Sequence, residues 1–464
     1  MNFVFMIRIL FLILFVSCST TKANLLSSDG QKKRLLIDRF DYLENKKLKP
    51  MAAGLTSTLT NGLSRIPTLE VVGPSEKANA LKLIKEKQLY GEEVDPAEFL
   101  SKITAADYFC NGDIQAEQSV ALVNVRISDA QKGSLVLSSS TRGSLEKPIT
   151  LQEKIVGNLL SNIDSDDAEA NTALVSNSST KNESAFSFYA QASDILYSEP
   201  QKAAILLISA LKNDPEYLDA LEDLANTLFQ IGETKKSMEF LVRKKEVLER
   251  KQLQNTVDYA NTLCNLGVVY FSLGEKEKAM QLCLQDKELK ESLKLKKTKL
   301  YANTLQTIAS FHVYLGQYKE GIQLFESART LLTTLGLDKT FDYADLLTSL
   351  GSAYKQNGEP EFAGGLYKDA ENIYQEIGLS STSSYAALLT NQGLLHLAKK
   401  EYKEALKKFI QDKSIQDKLG LGKSDGYIAT LNNLAVVLSE LGEKKKAIEF
   451  LQLANKLKSS KKKS

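Results

Sequence analysis

Catalytic groups are what this chain has least of. Its 464 residues include two histidines and four cysteines. No phosphate-binding loop, dinucleotide glycine motif, nucleophile elbow or zinc-protease helix occurs. No CxxC pair or His/Cys cluster offers metal-ligand spacing. The expectation is therefore no catalytic residue, no metal and no cofactor. Charge of one sign is also lacking: 59 basic residues stand against 57 acidic ones, a net of +2, so there is no global field and nucleic acid is not favoured as a partner. The uninterrupted apolar run Ile9 to Val16 is far short of the ~20 residues that cross a bilayer as a helix, which favours export and removal of the segment.

What is present is a period. Tyrosine recurs every 42 positions at Tyr217, Tyr259, Tyr301, Tyr343, Tyr385 and Tyr427. In phase with it run Leu221, Leu263, Leu305, Leu347, Leu389 and Leu431, then a small residue at Ala225, Gly267, Ala309, Gly351, Gly393 and Ala435. Gly232, Gly274, Gly316, Gly358 and Gly442 mark where one helix stops, with Lys400 the sole departure. Small residues at Ser237, Ala279, Gly321, Ala363, Ala405 and Ala447 then allow a second helix to approach the first. Each unit reads as a helical hairpin.

Leu266, Gly267, Tyr270, Ala279 and Cys283 in YANTLCNLGVVYFSLGEKEKAMQLC resemble the tetratricopeptide (TPR) pattern. The extra eight residues per unit resemble the kinesin-light-chain type of repeat. One shorter unit precedes them, in PQKAAILLISALKNDP. The resemblance implies a right-handed all-α solenoid of about seven hairpins over 184–458, whose groove binds protein and carries no chemistry. By the same resemblance the first helices line the groove, with Asn261, Phe271, Asn303, Gln306, Tyr314, Lys355 and Leu397 as candidate contacts. Lys355 is the one cation in these columns, which disfavours a carboxylate clamp and suits an extended or helical protein segment read by amide and apolar contacts. His312 and His396 share the column of Tyr270 and Tyr354, expected to pack between helices; two repeats apart, roughly 20 Å or more, they cannot share a metal. Cys283 falls in a core column and Cys264 in one expected on an exposed face, so no disulfide framework is expected among Cys110, Cys264 and Cys283.

Before the repeats the pattern changes. Leu35 to Ile37 and Leu69 to Val72 read as strands, Met51, Leu55, Leu59 and Leu63 as one face of a helix, and 76–89 plus 95–103 as helical. Ala121, Val123, Val125 and Ile127 alternate with polar or exposed positions and turn back into Leu135 to Ser139 as a hairpin. A last helix carries Ile155, Val156, Leu159, Leu160 and Ile163 on one stripe. The order β-α-β-α-β-β-β-α over 34–163 resembles TolB-amino-terminal and FlgO-like envelope domains, which implies docking within a bacterial envelope; an unrelated α+β module is the other reading. Residues 164–183 have a linker composition, so the two domains are expected to move relative to one another.

Residues 1–17, ending in Phe15-Val16-Ser17 before Cys18, resemble a bacterial lipoprotein signal. That implies a lipidated Cys18, a polar spacer over 18–33 and a membrane tether, with Ser19 pointing to the outer membrane. An uncleaved anchor or a plain signal peptide with an incidental cysteine is the alternative. The basic tail 459–464 reads as a frayed end, or as a contact for anionic headgroups. The chain therefore reads as a non-catalytic envelope lipoprotein that scaffolds other proteins. The alternative is a component of an outer-membrane transport or sensing complex in which the amino-terminal domain oligomerises or binds a ligand.

Overall fold

The structure, a computed structural model, describes residues 33–43, 45–66, 69–163 and 180–461. The signal segment, Cys18 and residues 462–464 lie outside the described residues.

The first unit is a five-stranded sheet in the order β2-β1-β3-β4-β5. Strand β1 (Arg34–Ile37) is parallel to both β2 (Glu70–Val71) and β3 (Tyr108–Glu117), while β4 (Val120–Asp129) and β5 (Leu135–Ser144) continue the sheet antiparallel. A strand alternates its side chains between two faces, so both faces of β1 are used. Leu35 and Ile37 pack with Leu55, Leu59 and Leu63 of helix α1 (Lys49–Ser64) and with Ile155 and Leu159 of α4 (Pro148–Ile163). Leu36 joins Leu83 and Ile84 of α2 (Pro74–Leu89) and Leu100 and Ile103 of α3 (Pro96–Thr104) on the opposite face. The alternation in β4 is as expected: Ala121, Val123, Val125 and Ile127 are buried, and the other side carries an Asp113 carboxylate bonded by Asn124 at 2.8 Å and Arg126 at 2.6 Å.

Fourteen helices follow among the described residues after the linker, paired as hairpins. They are α5 (Glu183–Ile195) with α6 (Pro200–Asn213), α7 (Leu218–Gln230) with α8 (Thr234–Arg250), and α9 (Val257–Ser272) with α10 (Lys276–Ser292). Next come α11 (Lys299–Tyr314) with α12 (Tyr318–Thr334), α13 (Phe341–Gln356) with α14 (Pro360–Glu376), α15 (Ser383–Ala398) with α16 (Tyr402–Lys418), and α17 (Asp425–Glu440) with α18 (Lys444–Lys461). Helix α18 runs through 459–461, part of the segment expected to fray, because Ala454 and Leu457 still pack against Tyr427, Ile428 and Leu431 one turn back.

The recurrent columns have physical causes. Thr256, Thr298, Thr340, Thr382 and Ser424 cap the first helices by accepting the tyrosine N–H three residues on, at 3.0 to 3.4 Å. This capping column is as periodic as the tyrosines. The tyrosine hydroxyl then reaches back to the preceding hairpin: Tyr259 donates to Glu249 at 2.8 Å and Tyr301 to Glu291 at 2.5 Å. Small meets large across each hairpin. A Cβ on Gly351 would lie 2.6 Å from the Tyr367 ring, and one on Gly393 would lie 2.6 Å from Phe409. Gly358 and Gly442 end their helices at φ of +85° and +81°, and Lys400 is held at +61° in the same place.

Two stability outcomes follow from this packing. Leu350 is fully buried in α13, so Leu350→Ala is expected to cost about 2 to 5 kcal/mol in chemical denaturation. Lys400→Gly is expected to raise the denaturation midpoint by relieving about 1 kcal/mol of left-handed strain; an unchanged midpoint would show that this lysine is not strained.

Candidate functional site

The linker composition suggested two independently placed domains; instead the sheet domain is packed along one rim of the solenoid. Only 180–183 of that segment is described, and it is ordered: Thr180 donates to Asp214 at 2.5 Å and Asn182 caps α5. The rim is built from the body and carboxyl end of α5 and, beyond it, from the amino-terminal ends of the first helices α7 to α15 and the loops that enter them. Helix α1 lies on α5 so closely that a Cβ on Gly54 would be 2.6 Å from Ala190, with Ser57 and Asn61 bonded to the Tyr189 hydroxyl at 2.7 and 3.2 Å. Further along, Leu83, Ile103 and Phe341 leave a gap of only about 10 Å³.

Two buried ionic networks cross this interface. Arg65, just beyond α1, donates to Asp219 at 2.6 Å and to Asp258 at 3.1 Å, in the first turns of α7 and α9. Lys244 of α8 completes the group, 2.5 Å from Asp258 and 2.5 Å from Glu222. Burial opposes ionisation of Asp258, but Lys244 and Arg65 outweigh it and hold its pKa down at about 2. Neighbouring Asp223 is pushed up to about 7 by burial and by the like charges of Glu222 and Asp219. In the second network Arg34 forks onto both oxygens of Glu76 at 3.0 Å, and Lys299 of α11 meets Glu76 at 2.6 Å and also pairs with Asp342 of α13. At the far end the Glu86 carboxylate accepts from the Ser383 N–H at 2.8 Å and its hydroxyl at 2.7 Å, at the start of α15 where helix N–H groups favour an anion.

The candidate groove residues are distributed unevenly around this rim. Asn261 lies in the same repeat column as Asp219, one of the Arg65 partners. Asn303 is exposed, and Gln306 is half-buried further along α11. Phe271 and Tyr314 do come together: their rings meet edge to face at 5.0 Å, Phe271 stacks on Phe311 at 4.0 Å, and the Lys276 ammonium stands 4.9 Å from the centre of the Tyr314 ring. Tyr314 is 68% exposed. Lys355 is half-buried, and desolvation lowers its pKa. Leu397 packs beside Phe409, Leu434 and Val437 rather than with the aromatic group. Phe271 and Tyr314 are at the carboxyl ends of their helices, roughly 20 Å along from the rim at 1.5 Å per residue.

Cys283 is in the core as expected, whereas the histidines and Cys264 are placed differently from the sequence expectation. His312 and His396 are half-exposed rather than packed in the core; their Nδ1 atoms pair with Gln317 at 2.7 Å and Glu401 at 2.6 Å across the turn that follows each helix. The imidazole is too polar for the aromatic slot and turns to the nearby side-chain oxygen. Cys264 is half-buried, not on an open face, and packs in the same cluster as buried Cys283. Gly267 makes the approach possible, since a Cβ there would be 2.5 Å from the Cys283 sulfur. Among the described residues no group of three or more His, Cys, Asp or Glu side chains forms a metal site, and no helix is long and apolar enough to cross a membrane.

Capped hairpins in a 42-residue period, stacked into an open array, define an α-solenoid of tetratricopeptide repeats carrying a docked α+β domain. Tetratricopeptide-repeat family models match residues 260–293 and 384–458. A search of curated proteins finds no match. The chain is similar in structure to BtubC (BKLC) from P. vanneervenii, with 19% identity and a TM-score of 0.42, covering 50% of this chain and 91% of that one. It is similar to a putative kinesin light chain of Podosopora anserina at 18% identity and a TM-score of 0.39, covering 44% and 97%. A Rap protein complexed with competence and sporulation factor matches at 12% identity and a TM-score of 0.46, covering 68% and 98%.

Removing Arg65 leaves two carboxylates buried without their shared cation, so Arg65→Met is expected to cost about 3 to 5 kcal/mol, read as loss of hydrogen-exchange protection in α1 and α7. The pH response has a definite sign. Asp223 favours the folded state while protonated there, so its contribution is complete below its ordinary value of 3.8 and is lost as pH rises toward about 7. Asp223→Asn is expected to flatten stability across that window; an unaltered slope would exclude Asp223 as its source.

Proposed function

We propose that this chain is a non-catalytic scaffold of the bacterial cell envelope, tethered to the membrane through a lipidated Cys18 and holding another protein in its repeat groove. The observation that carries the reading is the Phe271, Phe311 and Tyr314 cluster. It presents an exposed aromatic step on the helix ends that the sheet domain leaves free. Aromatic anchors of this type commonly dominate protein capture, and Lys276 beside them supplies a polar contact. The amino-terminal apolar run ending at Cys18 supports the tether, and the pattern shared with TolB-amino-terminal and FlgO-like domains supports an envelope setting. With its α2 and α3 faces committed to the rim, the sheet domain orients the groove on its tether and leaves partner binding to the repeats.

Cross-linking in intact cells identifies the partner, and binding of that purified partner then tests the groove. Phe271→Ala with Tyr314→Ala is expected to weaken capture by about 2 kcal/mol or more while helicity is retained. Equal capture by the double variant would exclude this surface. The tether is tested separately by intact mass of the membrane-extracted protein: loss of residues 1–17 with added acyl mass is expected, and a chain still beginning at Met1 would refute it.

A further inference from the structure

The sheet domain contains a crevice that the scaffold function does not use. Strand β1 leads into α1 on one face of the sheet, whereas β2 leads into α2 and α3 on the other, because the strand order 2-1-3 reverses the direction of travel. In open α/β sheets such a reversal leaves a gap beyond the carboxyl end of the strand, where small ligands bind. Here the gap is a cavity of about 310 Å³ just past β1, between Ala53 of α1, Leu81 of α2 and Leu100 of α3. Its outer wall comes from the solenoid, with Asp194, Leu196 and Tyr197 at the end of α5. The enclosure therefore exists only when the two domains are docked.

The charges in the wall define what fits. Arg39 and Lys49 are both taken by Asp194, the latter at 2.9 Å. Lys77 is the cation left facing the cavity. Its side chain is 12% exposed, it donates to the Ile37 carbonyl at 2.5 Å, and its nearest carboxylate, Asp38, is 4.0 Å away. An ammonium has three donors, so this one has capacity for a further acceptor. Desolvation lowers the Lys77 pKa, outweighing Asp38, and an anion beside it would offset that burial. With Asp38 and Asp194 also in the wall, a second negative charge on the ligand would be repelled. The rest of the lining is mixed: Leu81, Leu100 and Leu196 give an apolar wall, and hydroxyl and amide groups of Thr56, Thr60 and Asn61 line the α1 side.

We propose that this crevice binds a small monocarboxylate with an apolar body, its carboxylate on Lys77 and its ring or chain against Leu81, Leu100 and Leu196. Because Asp194, Leu196 and Tyr197 close over it, the bound acid stabilises the docked arrangement of the two domains. The site is independent of the groove.

Saturation-transfer NMR on the full chain, with benzoate, 3-phenylpropionate and hexanoate as probes, tests the assignment. At least one acid is expected to take up saturation while its neutral amide and phenyl phosphate do not. Lys77→Met, with helicity checked by circular dichroism, is expected to weaken that acid by about tenfold or more, the size of one lost charge-assisted hydrogen bond. Ala53→Leu, which narrows the cavity and keeps the amine, is expected to weaken it as well. The proposal is overturned if no acid binds more tightly than about 5 mM, if the amide or the phosphate binds as well as the acid, or if a folded Lys77→Met chain binds the acid unchanged.

Discussion

Two carboxylates in the first turns of α7 and α9 are almost shut off from water and share one guanidinium that comes from another domain. Arg65 meets Asp219 and Asp258 with all three side chains nearly fully buried, and Lys244 closes the group from behind. Ions taken out of water are stable only where every partner is present, since an unpaired buried charge costs several kcal/mol. The pairing therefore ties the fold of the first full-length repeats to the position of the sheet domain. Neither is complete alone: without Arg65 the repeats bury surplus negative charge, and without the repeats Arg65 has no anion to meet.

That constraint explains why the repeats depart from their own consensus where they do. The column holding Lys244 carries Asp286 and Asp412 in other units, where each carboxylate is satisfied locally by Thr304 at 2.6 Å or by Thr430 at 2.6 Å. Lysine at the second hairpin reverses the sign because Asp258 approaches it there. Lys299 is similar. Its column holds Val257 and Phe341 in adjacent units, both apolar, but the lysine lies opposite Glu76 of the docked domain. The periodic part of the chain builds a generic rod, and its exceptions mark the rim.

The docking also divides labour along each first helix. Amino-terminal ends are occupied by the sheet domain, where helix N–H groups and acidic first turns suit a charged interface, as at Glu86 and Arg65. The carboxyl ends of α9 and α11, with Phe271 and Tyr314, stay open, whereas that of α5 is covered by the sheet domain. The exposed aromatics and the β1 crevice are therefore separate places on the molecule.

Much of this was legible in the residues themselves. The 42-residue period, the hairpin form of each unit, the glycine stops and the alternation of β4 follow from local rules, in which a residue's role depends on neighbours a few positions away. The hydroxyl caps are equally periodic, three residues before each tyrosine. Other features were not local. Arg65 and Asp219 are 154 positions apart, and in the sequence each is an ordinary helix charge like dozens of others. Whether a charge is solvated or buried depends on which distant surface covers it, and periodicity carries no record of that. The repeats and strands were thus determined by the sequence read alone. The rim, the packing of Cys264 beside Cys283, the outward turn of the histidines and the crevice at β1 were decided by tertiary packing, because each depends on a gap or a counter-charge that exists only once separate segments meet.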